Sequence, residues 1–177
     1  MDIHSLKTPS LLLDIDRVRG NAKRISGIAT HNATRLRPHI KTHKCIEVAR
    51  IQTAGHNGAI TVSTLAEARD FSANGFDDIT YAVPIEPGKF ADAIEMFRSG
   101  VKFNLLTDNS ETAKQLDEAA GRAGVRLDVF VKIDCGTHRV GVEPHTDEAI
   151  EIPHVIAEAR HLNFAGILTH AGHSYDV

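Results

Sequence analysis

The chain contains no tryptophan, only two cysteines, no excess of charge of either sign and no long apolar run. Each lack excludes something. Cys45 and Cys135 lie far apart and form no Cys-x-x-Cys pair, which argues against a disulfide framework and for reduced thiols in a cytoplasmic setting. The longest apolar stretches, Ser10 to Ile15 and Leu127 to Ile133, have the length of buried strands, far short of a bilayer span. Met1-Asp2-Ile3-His4 has neither the basic start nor the apolar centre of a signal peptide, so no membrane partner is expected. Twenty Lys+Arg against 23 Asp+Glu give a formal charge of −3, which supplies no field to draw the chain to nucleic acid. There is no Walker-type loop, no Ser/His/Asp arrangement and no Gly-x-Gly-x-x-Gly between a first strand and its helix. Small-molecule chemistry is what these absences leave. What the chain does have in quantity is histidine, eleven in 177 residues, which favours a site that uses imidazole.

Strand and helix patterns alternate along the whole length. Leu11-Leu12-Leu13 reads as a short strand, and Asp14 or Asp16 can cap a helix carrying Val18, Ala22, Ile25 and Ala29. The stretch from Arg35 to Lys44 begins as a strand and leads into a helix from about Lys44 to Thr53. Ala59 to Ser63 is a strand, and Thr64-Leu65-Ala66-Glu67 is a capping box opening a helix that ends at Gly75. Asp78 to Val83 is a strand stopped by Pro84, followed by a helix from about Gly88 to Ser99. Val101 to Leu106 is the next strand; Asp108-Asn109-Ser110-Glu111 has capping-box spacing for the helix that runs to Gly121 or Gly124. Leu127 to Asp134 is the strongest strand signal, with a glycine-containing loop and a helix beginning near Pro153 after it, and Phe164 to His170 is the last strand. Repeated βα units predict a parallel sheet covered by helices. A barrel and an open doubly wound sheet both fit, and the missing dinucleotide fingerprint favours an α/β (β/α)8 TIM-type barrel. A closed barrel needs eight strands, and this chain stops on a strand, so a fragment or truncated reading frame is expected.

In a barrel the strand C-terminal ends converge, bringing together Lys41 and His43, Ser63, Val83, Thr107, Lys132 with Asp134, and His170 with His173. Lys41 sits among cations in Arg35-Leu36-Arg37-Pro38-His39-Ile40-Lys41-Thr42-His43-Lys44. Neighbouring positive charge disfavours an ammonium, and a neutral amine is the nucleophile that Schiff-base chemistry needs. The same decapeptide also reads as a solvated or phosphate-attracting turn. Cys135-Gly136-Thr137-His138-Arg139-Val140-Gly141 could wrap a polar ligand with Arg139 as donor, or be a plain loop whose arginine pairs with a structural carboxylate. His170 and His173 have a spacing open to two metal ligands, with no obvious third.

Arg37-Pro38-His39-Ile40-Lys41-Thr42-His43-Lys44, Val131-Lys132-Ile133-Asp134-Cys135-Gly136-Thr137-His138-Arg139-Val140-Gly141 and Gly166-Ile167-Leu168-Thr169-His170-Ala171-Gly172-His173-Ser174-Tyr175 together resemble the N-terminal barrel domain of fold-type III pyridoxal-phosphate enzymes, the alanine racemase fold. Within that group the resemblance is to the D-threonine aldolase and D-serine dehydratase family. It implies that residues 1–177 are a partial barrel of about six strands plus an N-terminal strand, without the last barrel strands and a C-terminal β-domain. It implies pyridoxal 5'-phosphate as cofactor, bonded by Lys41, with Arg139 donating to its phenolic oxygen and His170 against its ring. His173 and Tyr175 fall where the family brings further groups to the substrate. A divalent metal, zinc or manganese, is expected only in the full-length protein, and no metal ligand is assigned in this chain. The implied activity is that of a lyase on a small D-3-hydroxy amino acid, by retro-aldol cleavage or β-elimination, weak or absent in a fragment; a homodimer stays open. A non-catalytic cofactor carrier, a racemase of the same fold and a metal-dependent barrel hydrolase are the alternatives.

Overall fold

A computed structural model describes residues 3–176. Five strands form one sheet: β1 (Ile60–Val62), β2 (Asp78–Pro84), β3 (Lys102–Thr107), β4 (Leu127–Ile133) and β5 (Leu162–Thr169). Their connections are helical, with α3 (Leu65–Ala73), α4 (Phe90–Arg98), α5 (Ser110–Ala123) and α6 (Glu148–Glu158) following β1 to β4; α1 (Ile15–His31) and α2 (Ile46–Thr53) precede the sheet. All four pairings are parallel, and the spatial order of the strands is their chain order. That order decides between the two architectures. A doubly wound sheet reverses direction at a switch point, whereas each strand here is added to the same edge, as in a barrel wall. The fold is an incomplete (β/α)8-type barrel. No helix among the described residues is long and apolar enough to cross a membrane.

Local chemistry accounts for most boundaries. Thr64 accepts the Glu67 N–H and the Glu67 carboxylate accepts the Thr64 N–H, so the predicted capping box forms. Gly124 ends α5 with φ 65, a left-handed conformation that costs glycine nothing. Alternate residues of the strands pack under the helices: Ile79, Tyr81, Phe103, Leu105, Val129 and Val131 join Ala68, Phe71, Ala93, Leu116 and Ile156 in one core.

Four expectations are corrected. Leu11-Leu12-Leu13 pairs with no strand among the described residues and is exposed by 91%, 55% and 53%; an apolar run marks a wish for burial, but only a neighbouring ladder makes it a strand. Arg35 to Lys44 gives a single parallel bridge, His39 to Thr61, because Pro38 has no N–H to extend it backwards and, forwards, the Ser63 N–H goes to Glu67 and the Ile40 carbonyl to His43 and Lys44. The wall thus has five strands and one bridge. Asn109 caps α5 through the Thr112 N–H, which leaves Asp108 free to accept the Gly141 N–H at 3.1 Å. Pro153 lies inside α6. Asp147 C=O already accepts from Ile150 and Glu151, so the first turn closes before Pro153, and burial of Ile152 and Ile156 offsets the one lost bond.

One level of the sheet is polar. Registers place His39, Thr61, Thr80, Asn104, Asp128 and Asn163 side by side across the strands. Asn104 donates to Thr80 Oγ1 at 3.2 Å and Asn163 donates to Asp128 at 2.9 Å. Below this level Arg37 closes the sheet's N-terminal end. Its Nη1 lies 2.7 Å from Asp78 Oδ1 and donates to the Asp78 and Ile60 carbonyls at 3.1 and 3.4 Å. Burial pushes the Asp78 carboxyl up, but Arg37 and then Lys102 outweigh it and hold the group below its ordinary value. Arg37→Ala should therefore cost roughly 2 kcal/mol, less than a fully buried pair because Lys102 still faces Asp78. Denaturant unfolding checks this, and an unchanged midpoint would show that Lys102 alone suffices.

Candidate active site

The turn that carries Lys41 is built by three backbone hydrogen bonds. The Thr61 N–H donates to the Pro38 carbonyl at 2.8 Å, which fixes the chain beside β1. Ile40, fully buried, then turns the backbone into a single 3-10 turn, Ile40–Thr42. The Ile40 carbonyl accepts the N–H groups of His43 at 3.2 Å and Lys44 at 2.8 Å, and Lys44 ends the turn with φ 49. Lys41 is left exposed at the C-terminal end of the sheet, the end at which barrels bind ligands.

His39 supports the turn from below. Its Nδ1 accepts the Lys41 N–H at 3.3 Å, which puts the ring proton on Nε2, 3.3 Å from Ser63 Oγ. Burial, and after it the charge of Lys41, hold the ring's pKa below the ordinary histidine value against the opposing pull of Glu67. The two cations that the sequence sets beside Lys41 are both paired: Arg37 with Asp78, and Lys44 with Glu67 at 3.2 Å. Positive charge reaches this rim from elsewhere.

It comes from the far strands. Lys132, at the end of β4, is 3% exposed. Burial pushes its amine down and Arg139 adds to that, opposed by Cys135, Asp134 and Asp108. The loop after it closes on itself, since Asp134 N–H donates to Val142 C=O and Val142 N–H to Lys132 C=O. Gly141 lies at this closure with φ 109, and a Cβ there would stand 2.8 Å from the Asp134 nitrogen, so only glycine fits. Asp134 accepts the N–H groups of Gly136 and Thr137 at 2.9 and 3.0 Å and thus shapes the loop. Arg139 is exposed on it, and no carboxylate among the described residues pairs with its guanidinium.

His170 follows β5 and is half-buried, and its carbonyl accepts the Cys135 Sγ–H at 3.3 Å. Burial lowers the pKa of its ring, and the charges of Arg139, Lys132 and Lys41 add to this in that order. One imidazole therefore lies within reach of cations from three separate segments. His173 is exposed in the 3-10 turn Gly172–Asp176; Tyr175 belongs to the same turn, and its side chain lies outside the described residues.

Other expected rim residues are engaged elsewhere. His43 bonds Gln52 through Nε2 at 2.9 Å and accepts the Cys45 N–H through Nδ1, which ties it to α2. Thr107 is buried and donates to the Asn109 carbonyl at the start of α5. His170 and His173 form no metal-type cluster among the described residues. Asp134, His138 and Glu143 do, with ligand-capable atoms within 4.8 Å of one another on the Arg139 loop. Their Asp-x3-His-x4-Glu spacing is the one sequence signal that could have indicated it. Sequence reasoning also missed Ser63 as the partner of His39 and Glu67 as the partner of Lys44, because both pairings cross between units.

The family profile described as alanine racemase, N-terminal domain, matches residues 13–177. The chain belongs to that family. A D-serine dehydratase of Dictyostelium discoideum is 36% identical over 98% of this chain and 47% of its own length. A D-threonine aldolase of an Arthrobacter species is 34% identical over 93% of the chain and 43% of its own. The solved D-threo-3-hydroxyaspartate dehydratase from Delftia sp. HT23 superposes with a TM-score of 0.92 at 35% identity, covering 98% of this chain and 46% of that one. This alanine racemase N-terminal domain thus spans about half the length of the curated relatives it matches. Relatives with lytic names of two kinds, dehydratase and aldolase, share its fold.

The His39 geometry gives this domain a pH response of definite sign. A histidine whose pKa is lowered on folding binds more protons in the unfolded chain, so stability falls as pH drops below about 6.5. His39→Asn keeps an acceptor for the Lys41 N–H and removes the titration. Its melting temperature should fall less than that of wild type between about pH 7.5 and about pH 5.5; parallel declines would remove His39 as a source of acid lability.

Proposed function

We propose that this chain is the cofactor-binding barrel portion of a pyridoxal-phosphate-dependent lyase acting on D-3-hydroxy amino acids, of the D-threonine aldolase or D-serine dehydratase type. The observation that carries the reading is the placement of Lys41, Arg139 and His170 at the same end of the sheet, on the turn beside β1, the loop after β4 and the segment after β5. The relatives named for dehydration and aldol cleavage of such substrates support the reaction class.

The residues suit the cofactor. Lys41 presents an exposed amine on a backbone turn held by Ile40 and His39, as a covalent anchor requires. Arg139 has a permanently charged donor fork that no carboxylate among the described residues occupies, which suits a phenolate oxygen. His170 offers a ring of lowered basicity, which favours the uncharged form expected of a group stacked on an aromatic cofactor. When bound, the cofactor takes up the negative charge left by a breaking bond at the substrate Cα. The protein's part is to hold and move protons around it. Lys41 Nζ is assigned the further role of accepting the proton from Cα in elimination. His173 and Tyr175 lie in the turn after β5, on the approach to the same rim, and are assigned to the substrate's hydroxyl side. The reading assigns the phosphate cradle, a second β-domain and the ligands for a zinc or manganese ion to the half of the relatives that this chain does not span. It includes a cytoplasmic setting, supported by the free thiols Cys45 and Cys135.

The purified protein with added pyridoxal phosphate should show a visible absorbance band that borohydride abolishes and Lys41→Ala lacks. Identical spectra for wild type and Lys41→Ala would overturn the anchor assignment. On a chain extended to the length of the relatives, D-serine giving pyruvate and ammonia indicates elimination, and D-threonine giving glycine and acetaldehyde indicates aldol cleavage. Cofactor binding with neither product would make the domain a carrier.

A further inference from the structure

Glu67 is a carboxylate only 6% exposed that the candidate site has not used. One of its oxygens serves the backbone, with Oε2 accepting the N–H of Ser63 at 2.7 Å and of Thr64 at 3.3 Å. A glutamine would satisfy that cap equally well. The other oxygen, Oε1, is buried and makes no hydrogen bond of good geometry; its contact is the ion pair with the Lys44 ammonium at 3.2 Å. Burial pushes the Glu67 pKa up, but the Ser63 N–H, Lys44 and the Thr64 N–H together outweigh it and keep the group ionised. A buried charge kept where a neutral cap would do requires another reason.

Lys44 supplies one. Its φ of 49 is a left-handed conformation that glycine or asparagine adopts more readily. It terminates the turn that bears Lys41, and its N–H shares the Ile40 carbonyl with His43. Its side chain is 63% exposed, and Glu67 is its one ion-pair partner among the described residues. Left unheld, that amine stands three residues from Lys41 on the same short turn and competes for the same aldehyde.

We propose that Glu67 is a positioning residue for this turn: by drawing Lys44 onto the start of α3 it fixes the turn's left-handed end and leaves Lys41 as the amine presented to the cofactor. This rests on Lys41 being the covalent anchor. In that reaction a lysine nitrogen adds to the aldehyde carbon and water leaves; borohydride then delivers hydride to the C=N bond and the lysine becomes a stable secondary amine.

The full chain incubated with pyridoxal phosphate, reduced with borohydride and digested for peptide mapping reads the outcome as a ratio of label on Lys41 to label on Lys44. Wild type should favour Lys41 by about tenfold or more, and Glu67→Gln should lower the ratio by about fivefold with a rise at Lys44. Melting curves confirm that the glutamine variant folds. Two substitutions at the exposed Lys44 provide an independent arm. Lys44→Arg keeps the ion pair and should label Lys41 at the wild-type rate; Lys44→Gln should label it more slowly, by about threefold. A wild-type ratio in Glu67→Gln, or equal rates in the two Lys44 variants, overturns the role of Glu67 while the anchor stands. Wild-type label no greater on Lys41 than on other lysines overturns both.

Discussion

The hydrogen bond from the Thr61 N–H to the Pro38 carbonyl sets the place of the candidate site. It belongs to the His39–Thr61 pairing, the one β-bridge among the described residues between the lysine-bearing segment and the sheet, and the contacts of His39 and Ile40 follow from the register it fixes. With His39 opposite Thr61, the imidazole reaches Ser63 two residues along and also caps Lys41. With Ile40 buried, the following turn has a fixed root in the core. A longer ladder would have carried Lys41 on as an ordinary strand residue, facing either the helices or the barrel interior. Instead the Ser63 N–H goes to Glu67 and the Ile40 carbonyl accepts from His43 and Lys44, so no further ladder bond forms and the chain turns at the rim.

The rim is an electrostatic arrangement more than a set of direct pairs. The cations nearest Lys41 in sequence, Arg37 and Lys44, are neutralised by Asp78 and Glu67. Those that act on the site, Arg139 and Lys132, come from the far end of the sheet. Lys132 is buried at the end of β4 and Arg139 rides on a loop closed by the Asp134–Val142 pairing and by Gly141, so this charge is held by the scaffold. His170 is biased toward the neutral form by burial and then by these charges, and His39 by burial and then by Lys41. A site intended for an anionic ligand would show such a surplus of fixed positive charge over uncharged imidazole.

The polar level through Thr80, Asn104, Asp128 and Asn163 contrasts with the branched apolar layers that usually fill a barrel. Its members bond one another across neighbouring strands, so the buried polar atoms are satisfied within the wall and resist a slip of register. The apolar residues on the other face of the strands supply the burial, and the polar ones fix the alignment. The outer positions of β5 differ, with Phe164 and Ile167 exposed by 42% and 63%.

The sequence by itself determined what depends on residues close together in the chain. Period-two strands, capping residues such as Thr64 and turn glycines such as Gly124 act within a few positions, and the βα order from β1 onward was legible from them, whereas the strand expected before Lys41 is only a bridge. The motifs around Lys41, Arg139 and His170 also carried the family. Tertiary structure alone decided the partners. That Leu11 to Leu13 would have no ladder among the described residues, that His43 would turn to Gln52, and that Glu67 would take Lys44 all depend on which segments meet in the fold. The shape of the wall was decided in the same way, since only the pairing of each strand with the next distinguishes a barrel from an open sheet. Local propensity is a short-range property of the chain, whereas the field on His170 sums charges separated by more than a hundred residues, and only the folded wall brings them together.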